Sequence, residues 1–503
     1  MIAVTGLMLY EMGVARRDGP PVVGVQYLDS VAVMPLENLT GDAEYDLLGM
    51  GITEEIITHL ARIPPLKVIS RHSVQAISRQ ALSFPQLGNA LGVRHIIDGS
   101  VQRDADSLRI TLQHIDAETN RQLWTEEFSA AADDLTGLQE DIAETATARL
   151  VGVIPGLPMP RSNGHADIGP GQEAYLSGTR WLGTRTAAGL NNAIGFFSQS
   201  IEMDPTFAPA YADLASAYAL AIFYRYDVGL DGYELAARSL ALSERALALD
   251  PNLAAAFAAR GYLGALIGQP ADAVAADFER AASLQPNAAS IPSWRARSLA
   301  QQGLIAEALA EAARAVDLDP LAPGRHIALA ELSLSLGRYD EAIAAAKLAT
   351  ALEPRLIRGR AIEARALLLG GRARHCAELP LGPHRVLRAS CLAASGRDAE
   401  ADTIIRTVLD DIRASNVRIP DYTEVITYED LAVDYALRGD AENALFWAAT
   451  AYAASPVGIE IRVLESALFD KVRDEPNFRD AIAAIRGDLY ERVRRDSRKF
   501  LVR

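Results

Sequence analysis

Five prolines set the strongest constraint on how this chain can fold. Pro205, Pro251, Pro286, Pro320 and Pro354 each follow a helix-like run that ends in Asp, Gln or Glu. The last three steps repeat at about 34 residues, the tetratricopeptide period, and a fixed period in this range marks a solenoid of helix pairs. Small residues keep the same register. Ala308 and Ala342 stand twelve before their prolines, Ala315 and Ala349 five before; Ala193 shares the first relation, Ala246 and Ala281 the second. Small side chains let paired helices approach closely, and proline ends the second helix because it has no N–H to donate. Gly268, Gly303 and Gly337 lie half a period ahead of their prolines, where the first helix must turn back and glycine supplies a left-handed cap.

The step from Pro205 to Pro251 exceeds the period by about twelve residues, and the surplus falls on the aromatic stretch Phe223, Tyr224, Tyr226 and Tyr233. That stretch reads as a longer loop packed on its own rings, or as a lid over a groove. Beyond Pro354 the register blurs, because Pro380 and Pro383 cut a second helix short. Pro456 nevertheless lies three periods on, with Gly439, Ala444 and Ala451 in the expected places, which predicts three further, degraded units.

Ahead of the repeats the pattern changes. Ser30–Leu36 and Leu66–Ile69 read as strands and Tyr45–Ile63 as a helix, with short helices at Ser73–Arg79 and Gln86–Leu91. Val93–Gln102, Leu108–Asp116 and Gln122–Phe128 form a meander of alternating strands, and Asp134–Leu150 is helical. The expected fold class is a small α/β domain with a mixed sheet, followed by an all-α tetratricopeptide superhelix. The expected boundaries are a membrane-helix stub and linker over 1–27, the α/β domain over 28–152, a Pro- and Gly-rich linker over 153–172, repeats over 173–456, and capping helices over 457–503.

At 503 residues the chain is too long for one core. Its 50% hydrophobic and 6% aromatic content suits alanine-rich helix pairs. A net charge of −16 argues against general nucleic-acid binding, which needs clustered Lys and Arg against phosphate. Met1–Tyr10 is apolar but too short to span a bilayer, which takes roughly twenty residues. It reads as the tail of a membrane helix or as a frayed terminus.

No catalytic constellation stands out. Gly49-Met50-Gly51 could open a helix over an anion, but no third glycine or P-loop lysine follows; a tight strand-to-helix junction with Thr53 and Glu54 near the cap is the plainer reading. His375, Cys376, His384 and Cys391 match no zinc spacing. The two cysteines could pair, or could be two small buried residues. Glu126 and Glu127 are adjacent in a strand and so face opposite ways. Arg492, Arg494, Arg495, Arg498 and Lys499 form a basic cluster that could meet an acidic partner or simply complement a helix C-terminus. Catalytic residues, cofactor and metal are therefore all expected to be none.

The remaining candidate is the concave face, lined by the first helix of each pair. Tyr262, Arg297, Glu331 and Arg365 recur there at the repeat period. An aromatic plate, two guanidinium forks and a carboxylate suit the backbone and acidic side chains of an extended peptide.

Val31-Ala32-Val33-Met34-Pro35-Leu36-Glu37-Asn38-Leu39-Thr40-Gly41-Asp42 and Gly51-Ile52-Thr53-Glu54-Glu55-Ile56-Ile57 resemble the TolB N-terminal-like domain, as do Leu91-Gly92-Val93, Asp98-Gly99-Ser100-Val101, Ile110-Thr111-Leu112 and Leu123-Trp124. Asp474-Glu475-Pro476-Asn477-Phe478 resembles the terminal segment of the same family. In that family the module precedes a tetratricopeptide array, in the C-terminal half of class III adenylate/guanylate cyclases and of winged-helix regulators of the CadC kind. The resemblance implies a non-catalytic scaffold that binds a protein or peptide, the sensor half of a bacterial signalling protein. The alternatives are a regulator in trans of such a cyclase, or its C-terminal part. It also implies inner-membrane anchoring, with this half periplasmic where the spanning helix is present and cytoplasmic if the chain starts at Met1. The sequence shows neither a cyclase nor a winged-helix domain, so the effector activity of those relatives does not carry over to it.

Overall fold

The computed structural model describes residues 29–158, 171–414 and 422–454, less a few single positions and short gaps within them, together with Val472, Val493 and residues 495–497. The stub and linker over 1–27, the middle of the second linker, and most of Phe469–Phe478 and of Ala481–Arg498 lie outside the described residues.

The N-terminal unit is a six-stranded mixed sheet. Its order is β3 (Leu66–Val68), β1 (Asp29–Val33), β4 (His95–Asp104), β5 (Ser107–Asp116), β6 (Arg121–Ala131), with the short β2 (Glu37–Asn38) pairing β4. β1 runs parallel to both β3 and β4; β4, β5 and β6 form the antiparallel meander. The continuous apolar run of β1 follows from burial on both faces. Val31 and Val33 join the core under α1 (Tyr45–Ala61) and a later helix at Leu138–Val153. Ala32 and Met34 join a second core with α2 (Arg71–Ser78) and α3 (Phe84–Leu91). The helix Leu138–Val153 is α4.

α1 starts at Tyr45, so Gly49 and Gly51 lie inside it rather than at its mouth. A Cβ on Gly49 would sit 3.3 Å from the Leu36 carbonyl, and one on Gly51 would meet the Gln139 side chain at 2.6 Å. These glycines serve close packing, and the backbone N–H groups that an anion would need are placed inside the helix ladder. Glu126 and Glu127 do face opposite ways: Glu126 is half-buried and pairs with Arg149, while Glu127 is exposed.

From Gln172 onward the chain is helical. Eight helix pairs are present among the described residues. The first four are α5 (Gln172–Gly183) with α6 (Ala187–Met203), α7 (Ala208–Tyr224) with α8 (Gly232–Leu249), α9 (Ala254–Ile267) with α10 (Ala271–Leu284), and α11 (Ser290–Gln301) with α12 (Ile305–Leu318). The last four are α13 (Pro323–Ser335) with α14 (Tyr339–Leu352), α15 (Ile357–Leu369) with α16 (Ala373–Glu378), α17 (Arg385–Ala394) with α18 (Asp398–Ala414), and α19 (Tyr422–Arg438) with α20 (Ala441–Ala454). The fold is thus a small α/β domain followed by a tetratricopeptide superhelix. The nine alanines read from the period are at most 1% exposed, as close helix approach requires. Gly268, Gly303 and Gly337 adopt φ of +79°, +78° and +70°. Gly371, Gly396 and Gly439 do the same in the later pairs, so the turn glycine outlasts the proline. α16 has six residues and stops just ahead of Pro380. No described helix is long and apolar enough to cross a membrane.

The two units are joined at the turns that carry the repeat prolines. Asp319, before Pro320, accepts hydrogen bonds from the hydroxyls of Ser70 (2.5 Å) and Ser73 (2.6 Å). Leu321, after Pro320, donates its N–H to Ser73 (2.9 Å) and packs its side chain into the α2–α3 core. Asn287, after Pro286, donates to the carbonyls of Ile63 (2.8 Å) and Leu66 (2.6 Å). Arg71 donates to the Thr179 carbonyl at 2.9 Å. The edge strand β3 is covered at this junction, which leaves less exposed edge for stray pairing.

Candidate functional site

Tyr262, Arg297, Glu331 and Arg365 fall on the successive first helices α9, α11, α13 and α15, and all four are buried or largely buried. Tyr262 on α9 is 1% exposed and stacks on Trp294 of α11, with ring centroids 5.1 Å apart. One turn beyond Trp294, Arg297 lays its guanidinium 3.6 Å above the ring of Phe223. Arg358 of α15 approaches the same ring at 4.8 Å. Between the two cations stands Glu331 of α13, which accepts a 2.5 Å bond from Arg358 Nε and lies 4.0 Å from Arg297 Nη1. Each guanidinium meets both a π face and a carboxylate in a largely buried setting, where such contacts are strongest.

Arg365 sits further along the array and donates to Asp430 at 2.9 Å. His384 Nδ1 binds the other Asp430 oxygen at 2.8 Å. Burial alone would raise the Asp430 carboxyl, but His384 and Arg365 together hold it below its ordinary value. This knot ties the sixth, seventh and eighth pairs together. Of the predicted row, Arg297 and Glu331 meet through the Phe223 sandwich, Tyr262 is one helix away, and Arg365 belongs to the separate Asp430 knot.

The aromatic stretch packs against itself and against helices of later pairs. Phe223 and Tyr224 meet edge to face at 4.8 Å, and Tyr224 stacks on Tyr226 at 5.3 Å. A Cβ on Gly324, at the start of α13, would lie 2.8 Å from the Tyr224 hydroxyl. The end of α7 therefore reaches across to helices three pairs later. The sequence marks these rings out but gives no means to see which helices they reach, and nothing in it points to Arg358, Asp430 or the His384 partnership.

The cysteine question is closed by contact. Cys376 and Cys391 are joined as a disulfide, their Cα atoms 5.5 Å apart in the range such bonds span. Among the described residues no group of three or more His, Cys, Asp or Glu is placed to hold a metal ion.

A second polar cluster lies in the α/β domain. His95 bridges Asp29 (2.9 Å) and His114 (2.8 Å), and the Trp124 ring stands edge-on to His114 at 5.4 Å. An ionised Asp29 can only accept, so the His95 proton is assigned to Nε2 and His114 donates from Nε2 to His95 Nδ1. Burial and the neighbouring His95 push the His114 pKa down to about 4. Nearby, Asp116 is pulled up by burial but brought down to about 2 by the Thr119 N–H and hydroxyl and by Arg94. Arg94 pairs with Asp116 at 3.1 Å, so that carboxylate is met within the cluster.

No family model matches the chain. A curated relative described as putative adenylate cyclase 3, from Rhizobium meliloti (strain 1021), is 32% identical over 192 residues, which is 37% of this chain and 32% of the relative. The match thus spans about a third of that relative's length. Among solved structures, a thermophilic TPR protein of Thermus thermophilus is 22% identical, covering 39% of this chain and 99% of that one with a TM-score of 0.32. A tetratricopeptide repeat protein from Parabacteroides merdae is 14% identical, covering 60% and 99% with a TM-score of 0.30. The helix-pair architecture stands on this chain's own turn glycines, prolines and buried alanines.

Proposed function

We propose that this chain is a non-catalytic scaffold whose repeats bind a protein or peptide partner and whose α/β domain, of the TolB N-terminal-like kind, passes that event to an effector. The observation that carries the reading is the inner row itself: Arg297, Glu331 and Arg365 alternate in charge along successive first helices, with Tyr262 beside them. An acidic peptide would take the guanidinium forks in exchange for their internal carboxylates, so binding would reset the packing of three or more pairs at once. The latch of Asp319 to Ser70 and Ser73 supplies a rigid path from those pairs to the sheet.

The test is selection of acidic peptides from a displayed random library against the full chain, then calorimetry on the recovered sequence. The expected result is micromolar binding that falls at least tenfold in Arg297→Lys and Arg365→Lys, measured at a temperature where circular dichroism shows each variant still folded, since both guanidiniums also hold internal partners. Undiminished affinity in both variants would remove the row from the site.

The match to the putative adenylate cyclase favours a second, narrower version, in which the effector is a class III nucleotide cyclase served in cis or in trans. Adding the purified chain to such a cyclase domain should change its rate of cyclic nucleotide formation. A chain that forms the cyclic nucleotide alone would overturn the scaffold reading.

A further inference from the structure

We infer that the apolar surface of the first helix pairs is the docking site of the chain's own C-terminal segment, which thereby closes the array upon itself. Val493 is completely buried, and it is buried in the cluster formed by Leu190, Phe197, Leu214, Tyr218, Leu235 and Leu263, at the opposite end of the repeats. Ser497, one helical turn on, is 2% exposed. Arg495, between them, has a side chain 72% exposed. Positions i and i+4 inside with i+2 outside is the signature of a helix laid face-down on a surface.

Charge points the same way. Residues 486–503 carry seven basic and three acidic side chains, whereas residues 172–249 carry eight acidic and five basic. The segment is thus opposite in charge to the pairs that Val493 packs on, while its described arginine, Arg495, faces outward beside Asp496. The physical need is also clear. An end repeat has no neighbour on one side, and its apolar face must be capped for the array to stay dissolved. Here the rings of the Phe223–Tyr233 stretch border the same cluster, with Tyr224, Tyr226 and Tyr233 packed against it. The long connection of the second pair and the returning tail together form one cap. This inference does not depend on the peptide row, since Val493 sits with the first pairs and not with Glu331 or Arg365.

The test uses the full chain carrying Val493→Arg and a fluorescein-labelled synthetic peptide of residues 482–503. The variant has an emptied site, so the peptide should bind it at least tenfold more tightly than it binds the wild-type chain, whose own tail competes. A peptide carrying the same substitution should bind neither. Equal or absent binding to a variant that keeps its helical circular dichroism would overturn the proposal. Should the variant fail to fold, hydrogen exchange on the wild-type chain decides. Amides around Val493 should exchange at least tenfold slower than in the free peptide, and exchange at the free-peptide rate would refute docking. Light scattering completes the test: a monomer with a protected tail supports docking within one chain, and a tail-exchanged dimer contradicts it.

Discussion

The Ser73 hydroxyl lies 2.6 Å from the Asp319 carboxylate, a hydrogen bond that joins the α/β domain to the turn between the fourth and fifth helix pairs. Ser73 is wholly buried and Asp319 is 3% exposed, so neither can turn to solvent if the other is lost. Asp319→Ala leaves the buried Ser73 hydroxyl and the part-buried Ser70 hydroxyl without their shared acceptor, at about 1–3 kcal/mol for the buried group. The expected outcome is a split denaturation curve, with the sheet melting before the repeats. A single unshifted transition in the variant would show that the two units are held mainly by the apolar contact of Leu321.

Acid should loosen the sheet through His114. The His114 pKa is about 4 in the fold against an ordinary 6.5. The unfolded chain therefore takes up a proton first as pH falls. The sign is fixed: stability from this group is complete above pH 6.5, declines as pH drops toward 4, and changes no further below that. A depression of that size is worth at most about 3 kcal/mol. His114→Gln keeps a donor for His95 Nδ1 but cannot titrate, so urea titrations between neutral pH and the folded-state pKa should show a shallower slope for the variant. Parallel slopes would mean that His114 does not carry the pH dependence.

The Cys376–Cys391 bond closes a loop of sequence separation 15 between α16 and α17. A loop of that length is worth about 3 kcal/mol in the chain-entropy account. Alkylation of the unfolded, non-reduced protein followed by mass measurement should find both thiols blocked, and reduction should lower stability by about 2–3 kcal/mol. Two alkylated thiols would establish the pair as close but unbonded. The sulfurs are fully buried, so reduction at neutral pH should be slow until the C-terminal pairs open.

Gly371→Ala probes why the repeat period was only partly legible. The proline mark ends at Pro354, yet Gly371 falls one full period after Gly337 and adopts φ of +72°. The alanine variant should cost about 1–2 kcal/mol, because an L-residue is strained there. A Cβ on Gly371 would meet nothing within 4 Å, so thermal melts of Gly371→Ala against the wild type would read the backbone strain directly. What could be read from sequence was local and periodic: the helix pairs, the buried alanines, the meander. What could not was any contact that joins distant stretches without a period. His95 and His114 meet because β4 and β5 pair with Ile97 opposite His114, a register that no motif announces. Asp319 and Asn287 read only as residues flanking helix-stopping prolines, and their second role appears once the sheet is laid on those turns. The row Tyr262, Arg297, Glu331 and Arg365 was legible as a spacing, but its internal partners were not. Phe223 stands two pairs before Arg297, Arg358 on the helix pair after Glu331, and Asp430 two pairs beyond Arg365.

Phe223 joins the second, fourth and sixth helix pairs through one ring. Its ring is held by Arg297 on one side and approached by Arg358, while Glu331 offsets both charges. Phe223→Leu keeps most of the volume but removes the π face, so the loss should reflect cation–π attraction, about 2 kcal/mol for largely desolvated guanidiniums. Phe223→Ala adds a cavity and should cost about 3–5 kcal/mol. The separation between the two variants is the informative quantity. If Leu and Ala destabilise equally, the ring acts through shape alone and the guanidiniums are held by Glu331. If Leu accounts for about half of the Ala effect, the two cations are fixed by the ring, and an incoming peptide that displaced Phe223 would release both of them together.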